Sequence, residues 1–186
     1  MAENYAAVLH GPYHIKIEKW PMPEIDENEV LVKIACVGIC GSDVKLYSSG
    51  KCGRDILDEP IVIGHEAAGV VVKVGSKVDT LKVGDRVAIE PTQPCRACEF
   101  CKRGKYNLCD TPRYCSSMGA PGNLCNYYKH VADFCHKYPP ALEAVASGAI
   151  DLKKFITHHY SLEKTKEALD LAKSGDAMKI IIHVQN

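Results

Sequence analysis

Two short stretches place metal-binding side chains at spacings that could support chemistry. Gly38-Ile39-Cys40-Gly41-Ser42-Asp43 is followed, 25 residues after its cysteine, by Gly64-His65-Glu66-Ala67-Ala68-Gly69. A thiolate, an imidazole and a carboxylate are the ligand types of a catalytic zinc, which holds three protein groups and leaves a position open for water or substrate. By itself the pairing is a weak signal, because a lone cysteine is more often a small buried hydrophobe and a lone histidine more often a satisfied core residue.

The second cluster is more specific. Cys95, Cys98, Cys101 and Cys109 form a C-x2-C-x2-C-x7-C pattern. A structural zinc asks for four thiolate or imidazole ligands in a closed tetrahedron, and short cysteine spacings wrap one ion without strain. The pattern predicts such a zinc, which would support a lobe and imply no chemistry. An iron–sulfur cluster also opens on C-x2-C-x2-C, but the seven-residue gap and the missing Cys-Pro ending disfavour it. Four uncoordinated surface thiols are the remaining reading.

The elements that must position these groups change character along the chain. Residues 29–35, 69–75 and 85–89 are short, β-branched runs bounded by Gly, Pro, Asp or Asn, which reads as strands. Their close spacing leaves little room for helices, so the first half predicts a compact barrel or sandwich. Between about 91 and 121 periodicity disappears and Cys, Pro and Gly become dense. Such a lobe can bury little apolar surface, so a metal staple would explain its order. After Tyr138-Pro139-Pro140, Leu142 to Ser147 closed by Gly148 reads as the end of a helix. Ser161 reads as the N-cap of a helix from Leu162 to about Lys173, with Gly175 beyond its end, and Met178 to Val184 as a final strand. The expected class is mainly β with α, an α+β fold.

Composition bounds the partners. The 186 residues carry 23 basic and 23 acidic side chains, so the formal net charge is zero and no basic run calls for nucleic acid or a membrane surface. No apolar stretch approaches the ~18 residues of a membrane span, and Met-Ala-Glu-Asn-Tyr lacks the basic flank and apolar core of a signal peptide. The expectation is a cytoplasmic protein, in which ten cysteines are free thiols and metal ligands rather than disulfides. Cys36, Cys52, Cys115, Cys125 and Cys135 have no metal spacing and read as buried or incidental thiols. His158-His159 reads as structural and the charged face between Glu163 and Lys173 as a solvated helix surface.

The motifs, taken with Gly84-Asp85-Arg86-Val87 and the four-cysteine lobe, occur in the order seen in zinc-dependent medium-chain alcohol and polyol dehydrogenases. The chain most closely resembles the sorbitol (L-iditol) dehydrogenase or ketose reductase group. That resemblance is carried by residues 37–43, 63–67 and 84–91, by Tyr127-Tyr128-Lys129-His130, and by the C-terminal runs 156–160 and 179–184. It implies a GroES-like, partly open β-barrel catalytic domain built from both chain ends, here residues 1–140 and 141–186. By motif position, Cys40 and His65 would ligate a catalytic zinc, with Glu66 as third ligand or near neighbour. Adjacent strand residues face opposite ways, so His65 and Glu66 share an ion only at a bend or strand end, which makes Glu66 the least secure ligand. Ser42 takes the position whose hydroxyl passes the substrate proton outward. In such enzymes zinc lowers the pKa of a bound alcohol and hydride leaves to a nicotinamide ring.

The resemblance also defines what is missing. In the family an NAD(P)-binding Rossmann domain would lie between Pro140 and Ala141, and no G-x-G-x-x-G occurs anywhere in the 186 residues. The histidine that many relatives carry five residues after the ligand cysteine is Lys45, and an aromatic that often follows is Leu46. The chain alone is therefore expected not to run a dehydrogenase cycle on a small polyol. Two rival readings stand beside it. One is a non-enzymatic binding, structural or regulatory module, associating with itself or with relatives through surface that the missing domain would cover. The other is zinc hydrolase or lyase chemistry at the open metal position.

Overall fold

The computed structural model describes residues 2–53, 55–117 and 119–185. Its organising element is the strand Glu29–Gly38, where Val30, Val32, Ile34 and Val37 point into the core. One edge pairs along nearly its whole length with the antiparallel strand Glu66–Val74, from Val30 opposite Val74 to Gly38 opposite Glu66. The other edge is shared. Tyr127–Val131 covers its first half, and Lys179–His183 covers its end, with Ile181 opposite Gly38 and His183 opposite Cys36. Residues from before Pro140 and from after Ala141 thus meet on one strand. Cys135–His136, Arg86–Ile89 and Ile156–Ser161 complete a seven-stranded sheet. A three-stranded sheet of His14–Lys19, Tyr5–Gly11 and Ile61–Val62 covers the core from the N-terminal side.

The expected strands at 29–35, 69–75, 85–89 and 178–184 are present as Glu29–Gly38, Glu66–Val74, Arg86–Ile89 and Lys179–His183. The expected C-terminal helix begins with a 3-10 turn, Leu162–Lys164, and becomes α-helical over Thr165–Ser174, closed by Gly175 in the left-handed conformation. Thr165, Ala168 and Leu169 form its buried face, and Leu162 is buried in the preceding turn. Ser161 has extended cap geometry but no side-chain capping bond. This helix is the crossover between Ile156–Ser161 and Lys179–His183, which are parallel as such a connection requires.

The helix expected over Leu142–Ser147 spans Pro139–Ala146, starting earlier because proline suits the first helical turn. It has no buried residue, and Leu142 is 58% exposed. Among its described residues the segment from 91 to 121 holds a four-residue helix, Glu99–Lys102, a 3-10 turn, Tyr106–Leu108, the pair Thr92–Gln93 with Arg113–Tyr114, and an isolated bridge between Ser117 and Ala120. It is tied to the sheet by polar contacts. Gln93 Nε2 donates to His130 Nδ1 at 2.9 Å, and Cys115 Sγ lies 3.0 Å from Tyr128 Oη. Among the described residues no helix is long and apolar enough to cross a membrane.

Candidate metal centre

The strand Glu29–Gly38 runs out at Ile39, and the chain turns directly into the helix Gly41–Ser49 with Cys40 as its N-cap residue. The cap is held by Asp43, whose Oδ2 accepts the Cys40 N–H at 3.1 Å. Burial pushes the Cys40 thiol up, but hydrogen bonds from Ser42 and His65 outweigh it and hold the thiol below its ordinary value.

The imidazole arrives from a second turn. Gly64 adopts φ +92°, and a Cβ there would lie 2.8 Å from Leu124 Cγ, so both conformation and space call for glycine. The bend leaves His65 just outside the strand and makes Glu66 its first residue. Neighbouring side chains that a continuous strand would send to opposite faces therefore converge. Ligand atoms of Cys40, His65 and Glu66 all lie within 4.8 Å of one another.

Asp43 is the residue that sequence reasoning missed. It is buried, its Oδ1 accepts the Gly64 N–H at 3.1 Å, and the same oxygen lies 3.3 Å from His65 Nδ1. This hydrogen bond holds the His65 imidazole up at about 9 against the opposing effect of burial. With Nδ1 turned to Asp43, Nε2 faces Ser42, whose Oγ is 3.3 Å away. Its position three residues after a motif cysteine, at the third residue of a helix, was the available signal.

The donor set fits a zinc ion. Zn–S near 2.3 Å and Zn–N near 2.0–2.1 Å put neighbouring ligand atoms of a tetrahedron ~3.5 Å apart, so the observed spread closes with small side-chain movements. Three ligands leave a fourth position. Ser42, Asp43 and His65 also line a cavity of about 350 Å³ whose far wall includes Thr92, Tyr114 and Cys115.

The four lobe cysteines likewise converge, with ligand atoms within 4.8 Å of one another. Backbone N–H groups of Ala97 and Cys98 donate to Cys95 Sγ at 3.4 and 3.3 Å, and the Cys95 N–H donates to Cys109 Sγ at 3.2 Å. These amides hold the Cys95 thiol down at about 6, whereas burial and the neighbouring thiols push Cys101 up to about 12. Amides aimed at sulfur suit thiolates gathered round a cation. All ten cysteines are free thiols. Cys115, Cys125 and Cys135 are buried, while Cys36 and Cys52 are half-buried. His158 and His159 lie on the strand Ile156–Ser161, where His159 Nδ1 meets His183 Nε2 at 2.8 Å and His158 Nδ1 meets Thr157 Oγ1 at 3.0 Å.

A β-rich fold that ends one strand in a thiolate, bends the next into an imidazole and a carboxylate, and carries a four-thiol lobe is the GroES-like domain of alcohol dehydrogenases. The chain belongs to that family: the alcohol dehydrogenase GroES-like domain matches residues 26–140. It is 70% identical over 158 residues to a sorbitol dehydrogenase of Bombyx mori, covering 85% of this chain and 45% of that one. It is 51% identical over 140 residues to sorbitol dehydrogenase of Mus musculus, covering 75% of this chain and 39% of that one. The chain thus spans less than half the length of these relatives. Among solved structures it is similar to L-idonate 5-dehydrogenase from Escherichia coli, with TM-score 0.88 at 15% identity, over 98% of this chain and 99% of that one. At that identity the likeness speaks for the fold alone. The structure of 2R,3R-butanediol dehydrogenase from Bacillus subtilis matches with TM-score 0.63 at 27% identity, over 85% of this chain and 50% of that one.

Proposed function

We propose that this chain is the zinc-binding catalytic domain of a polyol dehydrogenase, made of residues 1–140 and 141–186 and holding two zinc ions. Cys40, His65 and Glu66 would hold the catalytic ion, and Cys95, Cys98, Cys101 and Cys109 the structural one. The observation that carries the reading is the convergence of Cys40, His65 and Glu66 beside a cavity lined by His65 and Ser42. A bound zinc supplies Lewis-acid polarisation of a substrate hydroxyl. The chain's own residues do the rest. Asp43 fixes the His65 ring, the cavity admits a small polyol, and Ser42 Oγ stands beside His65 Nε2 to pass a hydroxyl proton outward. Hydride transfer needs a nicotinamide held at the same place, and without its platform the chain does not turn over.

Metal analysis tests the reading. The zinc-loaded chain should hold two ions, with Cys40→Ser and Cys95→Ser each removing one. Loss of both ions in either variant, or one ion throughout, would remove the catalytic-site assignment.

One observation favours a second reading as a non-enzymatic binding module. The helix Pro139–Ala146 buries nothing, and beyond it Phe155 is 54% exposed. Exposed apolar surface of this kind marks contact sites. Under this reading Leu142→Glu would abolish association with a partner while leaving both metals in place.

A further inference from the structure

The carboxylate of Glu66 is held by a residue 113 positions away. Lys179 Nζ is ion-paired with Glu66 Oε2 and also donates to the carbonyl of Ile39 at 3.0 Å. Ile39 immediately precedes Cys40, and Glu66 immediately follows His65. One ammonium group therefore ties together the two turns that carry the thiolate and the imidazole. The neighbouring residue adds a second tie, since the Ile39 N–H donates to the Ile180 carbonyl at 3.0 Å.

Space for this bridge exists because position 38 is glycine. A Cβ on Gly38 would collide with Glu66 Oε2 and lie 2.9 Å from Lys179 Cε. Three elements are thus fitted to one another: the end of Glu29–Gly38, the start of Glu66–Val74 and the start of Lys179–His183. A carboxylate has two oxygens, and the ammonium occupies one, leaving the other for an ion between Cys40 and His65. Hydrogen-bond partners of metal ligands fix ligand orientation, and their loss typically costs 10–100-fold in metal affinity.

We infer that Lys179 is a positioning residue of the catalytic metal centre, holding Glu66 as its third ligand, so that the C-terminal segment completes a site whose ligands all lie in the first 66 residues. The inference rests on the zinc reading above. The ordinary alternative is a partly exposed ion pair of little consequence; the side chains of Lys179 and Glu66 are 31% and 36% exposed. The two differ in what Lys179 does to the metal.

The test is cobalt(II) binding to the full chain after selective removal of the weaker zinc with dipicolinate, read by d–d absorption and chelator competition. Lys179→Met should weaken cobalt affinity 10–100-fold and shift the d–d bands, with the melting temperature nearly unchanged. Lys179→Arg, which keeps a cation and a donor, should recover most of the affinity. Gly38→Ala should reproduce the loss through the opposite side of the pair. Wild-type affinity and spectrum in Lys179→Met would overturn the inference. Failure of the wild-type chain to take up cobalt at this site would overturn the zinc reading itself, and the inference with it.

Discussion

Asp43 Oδ1 lies 3.3 Å from His65 Nδ1, while Oδ2 of the same buried carboxylate accepts the Cys40 N–H at 3.1 Å. One side chain thus orients the imidazole and caps the helix that presents the thiol. Asp43→Asn preserves shape but replaces one acceptor oxygen by an amino group, which would face a donor whichever way the amide turned. The expected result is a 10–100-fold loss of metal affinity at Cys40 and His65. A stability loss of about 1–3 kcal/mol should accompany it, because a buried N–H is left without a partner. Metal titration and denaturant unfolding of the zinc-free chain measure the two effects separately, and an unchanged metal affinity would count against the orienting role.

A pH-dependent term should come from His130. It is fully buried, its Nε2 donates to the Glu90 carbonyl at 3.0 Å, and its Nδ1 accepts from Gln93 Nε2 at 2.9 Å. That tautomer has no place for a second proton, and burial holds the imidazole down at about 4 against an ordinary 6.5. The unfolded chain therefore takes up a proton first. This contribution to stability is complete above about pH 6.5 and is lost as pH falls through 4, amounting to about 3 kcal/mol. His130→Gln keeps a donor for Glu90 and cannot be protonated. Urea unfolding at pH 7 and pH 4 should show the wild type losing about 3 kcal/mol more than the variant; parallel losses would contradict it.

Removal of the structural metal should act locally. Residues 99–108 hold one short helix and one 3-10 turn, and of Cys95, Cys98, Cys101 and Cys109 the last alone is buried. With so little apolar burial, the proposed ion would supply the order through the four thiols. Lys102, Arg103 and Lys105 are exposed tryptic sites within this stretch. Strong chelation should open them to rapid cleavage while Tyr127–Val131 and the rest of the sheet resist, as followed by mass spectrometry. Equal cleavage with and without metal would show that the lobe is ordered by other contacts.

The two convergent donor sets were legible because their spacing is local: residues 95–109 carry four thiols, and Gly64 bends the chain within one residue of His65. The long strands were legible from β-branched runs such as 29–35. The helix Gly41–Ser49 was not, since it has little apolar periodicity and is capped by Cys40 with Asp43 rather than by the usual Ser, Thr or Asp. The strand Ile156–Ser161 hid behind Thr157, His158 and His159, which suit an edge strand but resemble a loop. Asp43 and Lys179 were missed for a different reason. Their roles come from partners 22 and 113 residues away, brought near by sheet pairing that no local pattern encodes.

Turnover is the sharpest test of the proposed function. On the proposed reading the site binds and deprotonates an alcohol, yet oxidation also requires a hydride acceptor held at near-attack distance. Positioning of that kind accounts for about 7–11 kcal/mol of a barrier, equivalent to about 10⁵–10⁸-fold in rate. No glycine-rich fingerprint for a dinucleotide occurs in the 186 residues, and on the proposed reading free NAD meets the substrate by diffusion. The zinc-loaded chain given sorbitol and NAD should form NADH no faster than Cys40→Ser, while sorbitol itself should still perturb the cobalt spectrum of the loaded site. NADH formation that is abolished by Cys40→Ser would mean that this chain holds the nicotinamide on some other surface, and the proposed dependence on an absent platform would be wrong.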